Sequence, residues 1–289
     1  MRTWPDVDVE PRISLGAFTE LVTARGIELY RDLPWRRTHD PYAIWLSEVM
    51  LQQTQVTRVD GRWQRWLERF PSIEALANAE QADVLQEWQG MGYNRRALSL
   101  LKAAQAIVGN GGVFPHETSD LTALPGIGPA TAAGIRAFAF NLPGVYLETN
   151  VRTVFLHELY PKERGVPDKR LVPLVQAACD CDDPRSWYYA LLDYGAWLKR
   201  TVPNPSRRSS AHVKQSSFEG SHRQKRAMVV RLLLAARDEG VVADDVACHI
   251  TRNEASVGRA PFSTDDAKAM LEELEAEGFC HRNGNHWIA

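Results

Sequence analysis

The chain has 289 residues, with 34 Lys and Arg against 36 Asp and Glu, a formal net charge of −2 and four cysteines. That length can bury a full core in two or three compact units, and no apolar run is long enough to span a bilayer. A near-zero net charge excludes a chain-wide basic field, so any contact with an anionic polymer has to be local. The charged start Met1-Arg2-Thr3-Trp4-Pro5-Asp6 lacks the apolar core of a secretory signal, and the scattered cysteines read as reduced thiols, so a cytoplasmic location is expected.

Pro and Gly breaks divide the chain into predicted helices near Ser14–Leu29, Pro41–Arg69, Ser72–Ala79, Gln81–Gly90, Asn94–Gly109, Glu117–Ala123, Pro129–Phe140, Asn150–Leu159, Asp168–Cys179 and Pro184–Lys199. Nothing between Arg31 and Arg200 alternates for long enough to form a sheet, which makes the fold class all-α.

Within the second of these helices, Ile44, Trp45, Leu46, Val49, Met50, Leu51 and Val56 cover more than one face, the pattern of a buried helix. Glu48 is the one carboxylate between Pro41 and Val56. Burial would raise its pKa toward a value useful for handing over a proton near neutrality, whereas an Arg or His partner would make it purely structural.

Further along, Leu124-Pro125-Gly126-Ile127-Gly128-Pro129-Ala130-Thr131 places two glycines before a helix that starts on a proline. This is an ordinary tight turn or a helix-hairpin-helix, in which Gly126, Ile127, Gly128, Ala130 and Thr131 present backbone N–H groups to a phosphate without reading sequence. An acid-bearing stretch follows at Leu147-Glu148-Thr149-Asn150-Val151-Arg152.

Lys199 to Lys214 and Ser221 to Arg226 form a basic, Ser/Pro-rich run almost without acids. It reads as a solvated linker, or as a phosphate contact made through Arg207 and Arg208. The tail from about Phe218 is a separate module: helices over Arg223–Glu239, Asp244–Thr251 and Ser263–Glu277, then a hairpin over Phe279–Ile288 on an Asn-Gly turn. Three helices and a terminal hairpin suggest a winged helix. Its third helix carries Asp265, Asp266, Glu272, Glu273, Glu275 and Glu277 against Lys268, so it is expected to dock on the core or on a protein. DNA contact would then fall to His281, Arg282 or His286 on the wing. The domains read as 1–200, 201–220 and 221–289.

The string from Leu33 to Val56, Gly90-Met91-Gly92-Tyr93-Asn94-Arg95-Arg96-Ala97 and Leu124 to Ala132 together resemble the helix-hairpin-helix DNA glycosylases, most closely the adenine-specific mismatch glycosylases. The resemblance runs from about Leu33 to about Arg200 and implies a bilobal core with a DNA cleft, one lobe carrying Tyr93 and the hairpin. It also implies Glu48 as proton donor and activator of water, Trp35 and Arg36 at the extruded base, Gln53 wedged into the duplex and Tyr93 stacked beside the opposing base. Asn150 would lie close to a second carboxylate, and a monovalent cation would sit on the hairpin carbonyls.

Cleaving an N-glycosidic bond expels a base and leaves an oxocarbenium-like sugar, so an acid and a negative charge are both needed, and the base must first leave the stack. Adenine needs ring protonation to depart, which suits Glu48. Where the family places aspartate, this chain has Glu148, and where related lyases carry lysine it has Ala130, which favours a monofunctional enzyme. Cys179, Cys181, Cys248 and Cys280 do not have iron–sulfur cluster spacing, so no cluster is expected. Cys179-Asp180-Cys181 reads as a helix end or as part of a metal site. The short, differently patterned tail is expected to hold no counterpart of the domain by which adenine glycosylases sense oxidised guanine.

The expected protein is therefore a monomeric DNA N-glycosylase of base excision repair acting on a mispair in duplex DNA, with adenine as the base removed. A glycosylase for uracil, thymine opposite guanine or hypoxanthine is the alternative among enzymes. A non-catalytic DNA-lesion binder is the alternative outside them.

Overall fold

The computed structural model describes residues 3–213 and 217–289, so Met1, Arg2 and Lys214 of the readings above lie outside the described residues. In chain order the helices are α1 Leu15–Glu28, α2 Pro41–Leu51, α3 Val56–Val59, α4 Arg62–Arg69, α5 Ile73–Ala77, α6 Gln81–Glu87, α7 Arg95–Gly109, α8 Thr118–Ala123, α9 Pro129–Phe140, α10 Thr149–Glu158, α11 Asp168–Ala178, α12 Pro184–Thr201, α13 His222–Ala235, α14 Ala243–Ala255 and α15 Thr264–Ala276. Short 3-10 turns cover Pro34–Arg37 and Pro205–Arg208, and strands β1 His281–Asn283 and β2 His286–Ile288 close the chain. The contacts divide it into two units, Met1–Gln53 with Phe114–Lys214, and Thr54–Val113 with Gln215–Ala289.

The first unit holds α1, α2 and α8 to α12. Its core packs α10 against α12, α1 against α12 and α2 against α9, around Phe18, Phe155, Leu156, Tyr188 and Leu191, each fully buried. At roughly 1.5–3 kcal/mol for each large apolar side chain removed from water, this cluster dominates the stability of the unit. Two buried acids are neutralised within it. Asp193 on α12 takes both terminal nitrogens of Arg36 at 2.7 and 2.8 Å and Arg31 at 2.5 Å, while Glu158 at the end of α10 takes Arg12 at 2.8 Å and the Tyr194 hydroxyl.

The second unit packs α5 and α6 on α7, with Trp66 edge-on to Trp88 at 5.5 Å between ring centroids. The C-terminal module belongs to this unit. Its α14 packs on α15, its α13 packs on α6, and Val241 bridges Trp287 beside the β1–β2 hairpin, whose turn Asn283-Gly284 uses a left-handed Gly284. A capping box at Ser263 and Asp266 starts α15. Asp265, Asp266 and Glu272 of α15 are exposed, but Glu277 just past its end takes Arg226 at 2.6 Å and Arg95 of α7 at 2.7 Å, and Glu273 takes Arg226 at 3.2 Å. Arg237 of α13 adds an ion pair to Asp83 of α6. Glu277 thus ties the module to α7, while most of the acids of α15 stay exposed.

Three sequence readings are corrected. The segment Pro41–Arg69 is not one helix: α2 stops at Leu51, and a left-handed Gln53 and a left-handed Gly61 separate α2, α3 and α4. Neither break has a proline, so composition does not reveal the first of them. The hairpin clusters with Glu48 rather than with Tyr93, because α8 and α9 pack in the first unit while α7 packs in the second. Finally, α13 ends at Ala235, four residues early, and α14 runs on to Ala255.

Candidate active site

Helix α2 starts on Asp40, whose carboxylate accepts from the N–H groups of Tyr42 and Ala43, with Pro41 at the first helical position. Almost every α2 side chain is buried, and Glu48 is half-buried on the side that faces α9. There α9 has Gly134. A methyl group added at that position would collide with Glu48 Oε2 and lie 2.9 Å from both Glu48 Cδ and Tyr146 Cε2. The missing side chain therefore forms the notch in which the Glu48 carboxyl lies.

Tyr146 shares the notch. Its hydroxyl donates to Glu48 Oε2 at 2.9 Å. The ring is held edge-on by Phe138 and by Tyr188, each 5.3 Å away, and its backbone N–H donates to the Tyr188 hydroxyl at 3.2 Å. Burial pushes the Glu48 carboxyl up to about 8; the Tyr146 hydrogen bond opposes this and the negative field of Glu148 adds to it. No Arg, Lys or His pairs with Glu48 among the described residues, so the structural ion-pair reading of this acid fails.

Glu148 is the N-cap of α10. Its Oε1 accepts the N–H of Asn150 and, at 3.0 Å, that of Val151. Burial raises this carboxyl too, but the two helix N–H donors, Lys199 and Arg152 all act in the other direction. Both carboxyls are raised by burial, but only Glu148 has helix N–H donors and nearby cations that oppose the shift. Asn150 is brought in beside them, and its Oδ1 is buried without a hydrogen-bond partner among the described residues. Gly195 of α12 admits this corner, since a methyl there would lie 2.8 Å from Asn150 Cα.

Other expected site residues fall elsewhere. Trp35 is buried in the turn before α2. Arg36 is buried as well, with its guanidinium spent on Asp193 and lying 4.3 Å from the Tyr189 ring centre. Its charge is thus committed to a buried ion pair within the first unit. Gln53 is exposed at the end of the first unit with a positive φ of 52°. Tyr93 lies in the second unit, also at positive φ, and its hydroxyl accepts from Arg223 of α13 at 2.9 Å with Arg96 over its ring.

At the hairpin, Gly126 takes the left-handed conformation that the turn requires and Gly128 precedes α9. Ile127 is corrected: its N–H donates back to Leu124 O and its side chain is buried, so it anchors the turn and does not face outward. Gly126 and Gly128 are exposed, and Ala130 and Thr131 sit in the first turn of α9, where helix N–H groups have no partner within the helix. Thr131 Oγ1 accepts from the Gln52 amide at 3.1 Å, tying this turn to the end of α2.

The basic run also divides. Arg207 is exposed, but Arg208 donates to Tyr160 O at 2.7 Å and Leu156 O at 2.9 Å, capping the end of α10. Val166 N–H donates to Arg208 O and Val166 O accepts from Ser210, so this stretch is a packed turn, not a free linker.

Cys179 is buried at the end of α11 and Cys181 is exposed just after it, whereas Cys248 and Cys280 belong to the second unit. No three His, Cys, Asp or Glu side chains converge among the described residues, and this donor set does not fit a four-cysteine cluster. No helix among the described residues is long and apolar enough to cross a membrane.

A half-buried glutamate lodged in a notch of α9 and a helix-capping carboxylate thus share one helical unit with a Gly-x-Gly hairpin. The family described as HhH-GPD superfamily base excision DNA repair protein matches residues 46–249, and the chain belongs to that superfamily. The chain is 38% identical over 171 residues to an adenine DNA glycosylase of Buchnera aphidicola, covering 58% of this chain and 48% of that protein. The chain thus spans about half the length of that relative. An adenine DNA glycosylase of Mycobacterium tuberculosis is 32% identical over 235 residues, 72% of this chain and 75% of that protein. Among solved structures, a thermostable thymine-DNA glycosylase superposes with a TM-score of 0.56 at 22% identity, covering 63% of this chain and 86% of that one. An endonuclease III bound non-covalently to DNA gives 0.52 at 15% identity, covering 73% and 94%. At such identities the two structures establish the fold.

Sequence reading missed Tyr146, Gly134, Asp193 and Lys199. Tyr146 stands two residues before Glu148, the only hint available; Gly134 is hidden in a run of small residues.

Proposed function

We propose that this protein is a monofunctional DNA N-glycosylase of base excision repair that removes adenine from a mispair, acting as a monomer on nucleoid DNA in the cytoplasm. The observation that carries the reading is a Glu48 carboxyl lodged in the Gly134 notch and pushed up to about 8 by burial, in the field of Glu148, whose carboxyl accepts two N–H groups at the start of α10. In the proposed reaction Glu48 donates its proton to a ring nitrogen of the extruded adenine. The bond to C1′ breaks with its electron pair leaving on the base, and the Glu148 carboxylate stabilises the oxocarbenium sugar. The Glu48 carboxylate then takes a proton from water as the oxygen adds to C1′, which leaves an abasic site. No amine stands at position 130 to attack C1′, so strand cleavage is not part of the proposal.

The N–H groups at Gly126, Gly128, Ala130 and Thr131 grip a phosphate in this reading, Gln53 and Tyr93 support the opened duplex, and Arg207 adds a backbone contact. The hairpin offers backbone carbonyls and no carboxylate, a donor set suited to a monovalent cation, and no iron–sulfur cluster takes part.

Duplexes with a central adenine mispair, uracil, thymine opposite guanine or hypoxanthine, scored for abasic sites, test the proposal. Adenine release that vanishes in Glu48→Gln while DNA affinity stays supports it. Release of another base reassigns the substrate, and release of none from the wild-type protein leaves a DNA-lesion binder.

A further inference from the structure

Glu48 has two carboxyl oxygens, and the structure treats them differently. Oε2 accepts the Tyr146 hydroxyl at 2.9 Å and lies against the Cβ-less face of Gly134, while Oε1 takes no hydrogen bond from the described residues. Tyr146 cannot swing away. Phe138 and Tyr188 grip its ring edge-on from two helices, its backbone N–H is bonded to Tyr188, and its own residue is buried to 6% exposure. The lever is anchored to the same segment that carries Glu148 two residues later.

From this geometry we propose that Tyr146 is a positioning residue that pins Oε2 of Glu48 in the Gly134 notch and leaves Oε1 as the oxygen that carries and delivers the proton. The assignment rests on the glycosylase reading for its substrate, but the pinning itself does not. A carboxyl free to rotate about its last bond presents either oxygen; one held by a rigid phenol presents a single one, which is the pre-orientation a proton transfer needs. The same hydroxyl stabilises the carboxylate once the proton has left, because it donates to the ionised form. The groups that face Glu48 are Tyr146 from the segment before α10, Glu148 at the N-cap of α10 and Tyr189 of α12, whose hydroxyl is buried without a hydrogen-bond partner; no cation is among them.

Tyr146→Phe keeps the ring and removes only the donor. Two measurements are made on the full chain. In single-turnover base release against pH, the variant should lose about tenfold in rate at its optimum, the scale of a misplaced proton donor. The alkaline limb should move upward, because the ionised carboxyl has lost its donor. In a carboxyl-carbon NMR titration without DNA, the Glu48 signal should titrate at higher pH in Tyr146→Phe than in the wild type. A purely structural role for Tyr146 would slow the reaction without moving either titration. Gly134→Ala supplies the second variant, since filling the notch should displace Oε2 and abolish the distinction between the oxygens, with a rate loss at least as large. Unchanged titration of Glu48 in Tyr146→Phe overturns the proposal whatever the rates do. A wild-type protein that releases no base yet shows the NMR shift overturns the glycosylase reading and keeps the pinning.

Discussion

Replacing Glu48 by Gln should make the protein more stable at high pH and leave it unchanged at low pH. The carboxyl ordinarily titrates near 4.5 and is pushed up to about 8 in the fold, so between those values the native chain holds a proton that the unfolded chain has released. Stability must then fall as pH rises through this window, with the full cost present above about 8. At about 1.4 kcal/mol per pKa unit the upper limit is roughly 5 kcal/mol, and the partial exposure of the residue reduces it to about 2–3 kcal/mol through solvent screening. The amide of Gln has the shape of the protonated acid and carries no charge at any pH. Urea midpoints of wild type and variant, measured from pH 4.5 to 9, should coincide at the acid end and separate steadily above neutrality, with the variant the more stable. Parallel curves, or a variant destabilised by the same amount at every pH, would refute the argument that burial without a cation is what holds this proton.

Arg207→Ala should weaken binding to duplex DNA and lower the slope of log affinity against log salt by about one, with no change in melting temperature. Arg208→Ala should do the reverse, costing about 1–3 kcal/mol by freeing the carbonyls of Leu156 and Tyr160 and leaving the salt slope alone. Asp193→Ala should destabilise the first unit by about 3–5 kcal/mol, because it strands the buried Arg36 guanidinium; a loss below 1 kcal/mol in thermal unfolding would contradict the buried pair. Glu148→Asp should keep a capped α10 and much of the base release, whereas Glu148→Gln should fold as well and lose at least about a hundredfold in single-turnover rate, since only the anion stabilises the sugar cation.

What the sequence revealed and what it concealed divide along the range of the interactions involved. Most of the apolar positions around Glu48 lie within α2, so its burial and the direction of its titration were readable from residues 44 to 51 alone. The winged module was readable for the same reason: caps, turn residues and strand alternation are local signals. Arg36, by contrast, was placed at the base by resemblance, and Arg208 at a phosphate or in a linker by the density of the basic run. Their real partners, Asp193 and the end of α10, lie 157 and about 50 residues away in the chain, and nothing in a local window announces them.

The Gly134 notch shows the limit most clearly. A glycine in an alanine-rich helix has no local signal that separates indifference from necessity, and in isolation it only costs helix stability, about 1 kcal/mol against alanine. Here its value is set by atoms of α2 and of the loop before α10, which meet it only after folding. A proton donor on a buried helix needs room on the facing helix, and α2 packs on α9 where α9 starts from the hairpin turn. The hairpin that is proposed to hold a phosphate and the notch that admits the acid are therefore two ends of one short helix segment, six residues apart from Gly128 to Gly134. Through Gln52 and Thr131, the first turn of α9 is also fastened to the end of the helix that carries Glu48. The proposed phosphate grip and the notch for the acid thus lie on one helix, whose central glycine is fixed by the close approach of Glu48 and Tyr146.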